Sequence, residues 1–244
     1  MFSCYASISK KIIAEICPQI ISVYGNRSAV YLMLGQPKLA LEDAKTAISL
    51  DPNFIKGWNR VARCSVLLGD ILAAKRAVSH LLRLGEDTSL EGNNIESLEK
   101  FEVLTMQAIH EKDYRKAVWS IDKALEMATH CVKLKICRAE CLAFLGRCEE
   151  ASEVAVSILQ VDNKNVDAMY VRGLCLYYED DIDKALSFLS TVLKYAPDHS
   201  KAMNRFKVLS LVHISNFCDS NKKIFIISFV SIITSRFSFR LLKH

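Results

Sequence analysis

Lys56 and Arg60 stand four residues apart, and on a helix that interval puts both cations on one face. Asn26 stands 34 residues before Arg60. Two cations and an amide form a receptor for carboxylates, because charge-assisted hydrogen bonds are the strong ones and an acidic chain end offers several acceptor oxygens. Solvated surface is the competing reading of any helical Lys/Arg pair. Lys201 and Arg205 repeat the spacing, but Val171 holds the place 34 residues before Arg205, so this second pair reads as surface. Cys137 and Cys141 also share a helical face, with His130, Cys131 and Cys148 near in sequence. Without a Cys-x-x-Cys pairing they read as small core residues and not as metal ligands. No Ser-His-Asp order, nucleotide-binding glycine loop or catalytic carboxylate pair is recognisable, so the chain reads as non-enzymatic and free of cofactors.

Helices must present the cations, and a repeat supplies them. Pro18 and Pro52, Tyr24 and Trp58, Gly35 and Gly69, and Ala40 and Ala74 are each 34 residues apart; Ala117, Ala151 and Ala185 continue the interval. The gap from Ala74 to Ala117 is 43, one period plus an insertion that falls in 85–97, GEDTSLEGNNIES, a polar stretch that reads as a linker loop. A period of 34 is that of tetratricopeptide repeats (TPRs), pairs of antiparallel helices. The expected fold is therefore all-α, a TPR α-solenoid of helix pairs winding into a right-handed superhelix. Large aromatics (Tyr24, Trp58, Phe101) fill the space between paired helices, glycines take the turns, and alanines let helices approach closely. Stacking one repeat on the next lines up Asn26, Lys56 and Arg60 along one groove.

The domain organisation follows: 1–84, a truncated first repeat and two repeats; 85–97, the linker; 98–207, three repeats and the start of another; 208–244, a tail outside the pattern. Only 8 Gly and 4 Pro punctuate the 244 residues, as expected of long helices. The net charge of +5 is uneven: 208–244 holds five basic residues and one acid, leaving 1–207 nearly neutral with 27 basic and 26 acidic. That balance gives no electrostatic reason to expect nucleic acid. Nine scattered cysteines without a secretory signal suit reduced thiols in a cytoplasmic or nuclear protein. The apolar run at 224–234 is eleven residues long, shorter than the roughly 17–25 a membrane-spanning helix needs. The abrupt change of character after Lys207 is what translation through a splice donor would produce; a membrane-associating tail, or an element capping the solenoid, is the alternative.

The segments YGNRSAVYLMLGQ (24–36), RAECLAFLGR (138–147) and YVRGLCLYYED (170–180) resemble consecutive repeats of the DnaJ homologue subfamily C member 7 family of TPR co-chaperones, over roughly residues 5–207. The resemblance implies a protein-binding adaptor in protein folding that recruits the 70-kDa and 90-kDa heat-shock chaperones, gripping their acidic C-terminal tails in a carboxylate clamp to which Asn26, Lys56 and Arg60 correspond. A TPR scaffold for another protein complex, or a membrane-tethered adaptor using the tail, is the other reading. The His-Pro-Asp tripeptide of the family's J domain does not occur in the chain. The family's clamp also uses a Lys and an Asn on the first helix of the preceding repeat, of which the sequence shows only a second helix, at 7–18. Each missing charge-assisted hydrogen bond costs about 1.5–3 kcal/mol, so clamp binding is expected to be weak. Calorimetry with an acidic C-terminal pentapeptide checks this: a dissociation constant in the low micromolar range would contradict it.

Overall fold

The computed structural model describes residues 21–217, which are α-helical apart from their connecting turns. The half-repeat expected at 7–18 and the apolar run at 224–234 lie outside the described residues. The chain divides into two units between Leu134 and Lys135. The first contains α1 (Ile21–Met33), α2 (Pro37–Leu50), α3 (Ile55–Leu68), α4 (Ile71–Arg83), α5 (Ser89–His110) and α6 (Tyr114–Met127). The boundary falls inside α7 (Val132–Phe144), and the second unit continues with α8 (Cys148–Val161), α9 (Val166–Tyr178), α10 (Ile182–Tyr195) and α11 (Ser200–Phe217). Helices pair in chain order: α1 with α2, α3 with α4 and α5 with α6 in the first unit, α9 with α10 in the second.

Each hairpin closes by the same backbone device. Gly35, Gly69, Lys112, Gly146 and Asp180 all take positive φ, from 59° to 78°. The residue after each donates its N–H five positions back: Gln36 to Tyr31, Asp70 to Ser65, Asp113 to Ala108, Arg147 to Leu142, and Asp181 to Leu176, at 2.8–3.0 Å. This satisfies carbonyls that a helix end leaves orphaned. The following helix is then started by side chains. Asp70, Asp113 and Asp181 accept from the backbone N–H three residues on at 3.0, 3.0 and 3.2 Å, and Pro37 opens α2, where its missing N–H costs nothing. Ala40, Ala74, Ala117, Ala151 and Ala185 are all at 0% exposure, so the second helix of every repeat meets its neighbours through a methyl group. Trp58 joins the cluster of Ala44, Val61, Ala62, Ala77 and Leu81, its indole N–H donating to the Pro52 carbonyl at 2.8 Å.

Two expected boundaries are corrected. The loop at 85–97 is a loop only through Thr88; from Ser89 the chain is helical and forms the first turns of the 22-residue α5. Gly92 and the Asn93–Asn94 pair are poor helix formers, but Ile95 and Leu98 are buried at 4% and 0%, and that burial outweighs local propensity. Ile95 packs with Val66 and Ala74, and Glu99 pairs with Lys75 at 2.6 Å. These contacts carry α5 back onto α3 and α4, so the chain divides inside α7 and not at 85–97. The second correction concerns 208: α11 crosses Lys207–Val208 without interruption, and Leu209 is fully buried. The repeat-type packing thus reaches beyond the position at which the sequence changes character.

Gly69 combines positive φ with a close approach, because a Cβ there would stand 2.5 Å from the Cys131 sulfur, whereas a Cβ on Gly35 meets nothing. Gly69→Ala should lower the unfolding free energy by more than about 2 kcal/mol and Gly35→Ala by about 1 kcal/mol, while Lys112→Gly should raise it by about 0.5 kcal/mol. Urea denaturation of the three variants checks the order; equal losses at both glycines would contradict the packing account.

Candidate functional site

The first helices of the two leading repeats, α1 and α3, pack against each other and leave between them an open cavity of about 480 Å³. Ala29, Leu32 and Met33 of α1 form its apolar side. Lys56, Asn59, Arg60 and Arg63 of α3, with Glu91 of α5, form its polar side. Sequence spacing thus brought Lys56 and Arg60 to one groove. Asn26 is exposed one turn before Ala29 on α1 and is not among the residues lining the cavity. Asn59 and Arg63 escaped the sequence reading. The interval of Arg63, seven residues beyond Lys56 on an amphipathic helix, was the available signal.

The state of Arg60 sets the chemistry. It is half-buried, and its Nη1 donates to the Lys56 carbonyl at 3.1 Å. Gly25 on α1 makes room for Phe54, whose ring a Cβ there would meet at 2.9 Å, while Arg60 would stand at an ordinary contact distance of 3.7 Å. Burial pulls the Arg60 pKa below the usual guanidinium value, since desolvation disfavours the charged form; the group nonetheless stays charged at neutral pH. Among the described residues no carboxylate forms a salt bridge with Lys56, Arg60 or Arg63. Cys64, on the same helix, is fully buried, and its thiol is pushed up to about 11 by that burial, against the pull of Arg63 and Arg60.

Arg27 shows the contrast. Its Nε and Nη2 donate to Asp43 at 2.6 and 2.5 Å, with side-chain exposures of 13% and 8%. Its pKa is raised, chiefly by the hydrogen bond to Asp43. Arg27 is a structural cation inside a hairpin; Arg60 is a cation held half-dry without an acid. The second-unit pair is also committed internally. Lys201 donates to both carboxylate oxygens of Glu140 at 2.8 and 2.7 Å. Arg205 lies 5.2 Å from the centroid of the Tyr177 ring. Of the clustered cysteines, Cys131, Cys141 and Cys148 are buried and Cys137 half-buried. Among the described residues no group of three His, Cys, Asp or Glu could hold a metal ion, and no helix is long and apolar enough to cross a membrane.

Residues 21–54 match the tetratricopeptide-repeat family model. The TPR domain of P58(IPK) superposes with a TM-score of 0.63, covering 96% of this chain and 70% of that one at 20% identity, which is a likeness of fold. The chain is a TPR α-solenoid. Its repeats are similar to those of human DnaJ homolog subfamily C member 7, 44% identical over 191 residues, or 77% of this chain and 39% of the relative. A Dictyostelium discoideum homolog of that protein is 29% identical over 196 residues, 78% of this chain and 36% of its own length. The TPR chain therefore spans about two fifths of the length of the curated relatives it matches.

The two arginines should separate under mutation. Arg27→Met leaves Asp43 buried and alone, and should cost about 3–5 kcal/mol of stability. Arg60→Met breaks no ion pair and should change stability by less than about 0.5 kcal/mol, or raise it. Thermal and urea unfolding check the contrast, and a loss of equal size at Arg60 would assign it a structural role.

Proposed function

We propose that this chain is a protein-binding adaptor of the co-chaperone type, which takes the acidic C-terminal segments of 70-kDa and 90-kDa heat-shock chaperones in the α1–α3 groove and works in the cytoplasm or nucleus without catalysis of its own. The observation that carries this reading is the Lys56–Arg60–Arg63 ladder, three cations on one groove with no acid of the described residues paired to them. A half-desolvated guanidinium recovers most from a ligand that is itself an anion and arrives with planar oxygens. A C-terminal Asp or Glu offers two carboxylates within one residue, which matches cations placed one helical turn apart. Asn26, exposed one turn before Ala29 on α1, supplies an amide for the backbone of the same segment. The similarity of the repeats to a DnaJ homologue supports a chaperone as the source of that segment. A general scaffold role predicts a groove indifferent to terminal acids.

Titration of an acidic C-terminal peptide and its C-terminally amidated form, followed by calorimetry at low salt, tests the proposal. Removing one charge-assisted contact by Lys56→Ala or Arg60→Ala should weaken binding about tenfold. Amidation should do the same, and added salt should weaken the complex further. Equal binding of the acid and the amide, or none of either at millimolar peptide, would reject the acidic-end reading and favour the scaffold.

A further inference from the structure

Two of the second helices carry charge of one sign only, and the signs are opposite. α4 (ILAAKRAVSHLLR) holds Lys75, Arg76 and Arg83 and no acid. α8 (CEEASEVAVSILQV) holds Glu149, Glu150 and Glu153 and no base. Part of that charge is engaged inside the chain: Lys75 pairs with Glu99 and Glu150 with Arg147, both at 2.6 Å, and Arg83 lies 3.1 Å from His80 Nδ1. Arg76, Glu149 and Glu153 are exposed and enter no salt bridge among the described residues. The position of Arg76 is exposed in the other repeats as well, where Glu42, Trp119, Glu153 and Ser187 take it in turn, so packing does not dictate what stands there. An apolar side chain flanks the charges on both helices: Leu72 is 69% exposed on α4 and Val156 39% exposed on α8.

We infer that α4 of one copy docks against α8 of a second copy of this chain. The two faces match in register as well as in sign. Laid antiparallel with Arg76 opposite Glu153, the helices bring Leu72, four residues before Arg76, to Val156, three residues after Glu153. At 1.5 Å per residue those steps are about 6 and 4.5 Å, so an apolar contact falls one turn from the charge pair. In the other direction Glu149 falls opposite Ser79 and His80, with Arg83 one turn further on. A parallel arrangement in the same register sets Leu72 against Glu149 and Arg83 against Gln160, and is disfavoured because the acid and the base then lack partners. The contact joins unlike faces, so each copy offers both and association can continue from copy to copy. A single helix pair about 20 Å long buries less than the roughly 1,200 Å² of stable complexes. The association is therefore weak, concentration-dependent and screened by salt. Neither Lys56 nor Arg60 takes part, so the inference stands apart from the acidic-end reading.

Analytical sedimentation of the full chain over a range of concentrations at low salt tests this. The average mass should rise with concentration and return to that of one chain at high salt. Arg76→Glu or Glu153→Arg, both at exposed positions, should each weaken association about tenfold, and Leu72→Ser should weaken it severalfold. A mixture of the Arg76→Glu chain with the Glu153→Arg chain should associate like the unaltered protein, because opposite charges then meet again at every contact. Monomers at every concentration would overturn the inference. So would association that survives either charge reversal, or that the mixture fails to restore. A monomer whose binding to phosphatidylserine vesicles is lost with Arg76→Glu would also overturn it, and would give the α4 face to an anionic lipid surface.

Discussion

Everything in this molecule depends on a helix being able to reverse and lie against its predecessor within two or three residues. The reversal is a single left-handed residue followed by an N–H that reaches back five positions, and it recurs at Gly35, Gly69, Lys112, Gly146 and Asp180. The alanines five residues further on are sealed completely, so backbone geometry and close approach are set together. Where glycine is absent, at Lys112 and Asp180, the chain still adopts positive φ, because the orphaned carbonyls and the buried face of the next helix leave no cheaper conformation. The constraint is strongest at Gly69, where the 128–131 turn is pressed against the hairpin: the His130 N–H donates to the Leu67 carbonyl at 3.0 Å, and the Cys131 sulfur occupies the space a side chain would need.

Once the hairpins are closed, the fate of each cation follows from which face it stands on. Arg27 points into its own hairpin and finds Asp43; Lys201 finds Glu140 and Arg205 the Tyr177 ring. Arg60 stands on the groove face near Gly25, half-buried and without an acid paired to it among the described residues. A desolvated, unpaired charge opposes folding, and chains keep such groups where a ligand supplies the missing partner. The same i, i+4 motif thus occurs twice in the sequence with opposite outcomes, decided by whether an acid lies on the facing helix.

The insertion between the second and third repeats changes more than spacing. By continuing α5 for two further turns it brings Ile95 against Val66 and Ala74, ties Glu99 to Lys75, and sets Leu90 and Glu91 at the end of the cationic groove. A repeat unit that would otherwise have stacked in register instead bounds the groove of its neighbour, so residues of an apparent interruption of the pattern line a cavity of the preceding repeat.

The 34-residue recurrence of Gly35/Gly69 and of the five alanines determined the repeat unit, the helix pairs and the groove-facing positions of Lys56 and Arg60. Small residues and turns are dictated by local sterics, and local sterics are written along the chain. The polar stretch at 85–97 misled because its helicity comes with Ile95 docking on Val66 and Ala74, some 20–30 positions away, a contact that no local pattern contains. The continuation of α11 past Lys207 was hidden for the same reason, since Leu209 is helical on account of what it is buried against. Whether a cation is paired also depends on a distant acid, so the difference between Lys56 and Lys201 belonged to the tertiary structure alone. Short-range geometry was legible in the sequence; every outcome that required two remote segments to meet was decided by the fold.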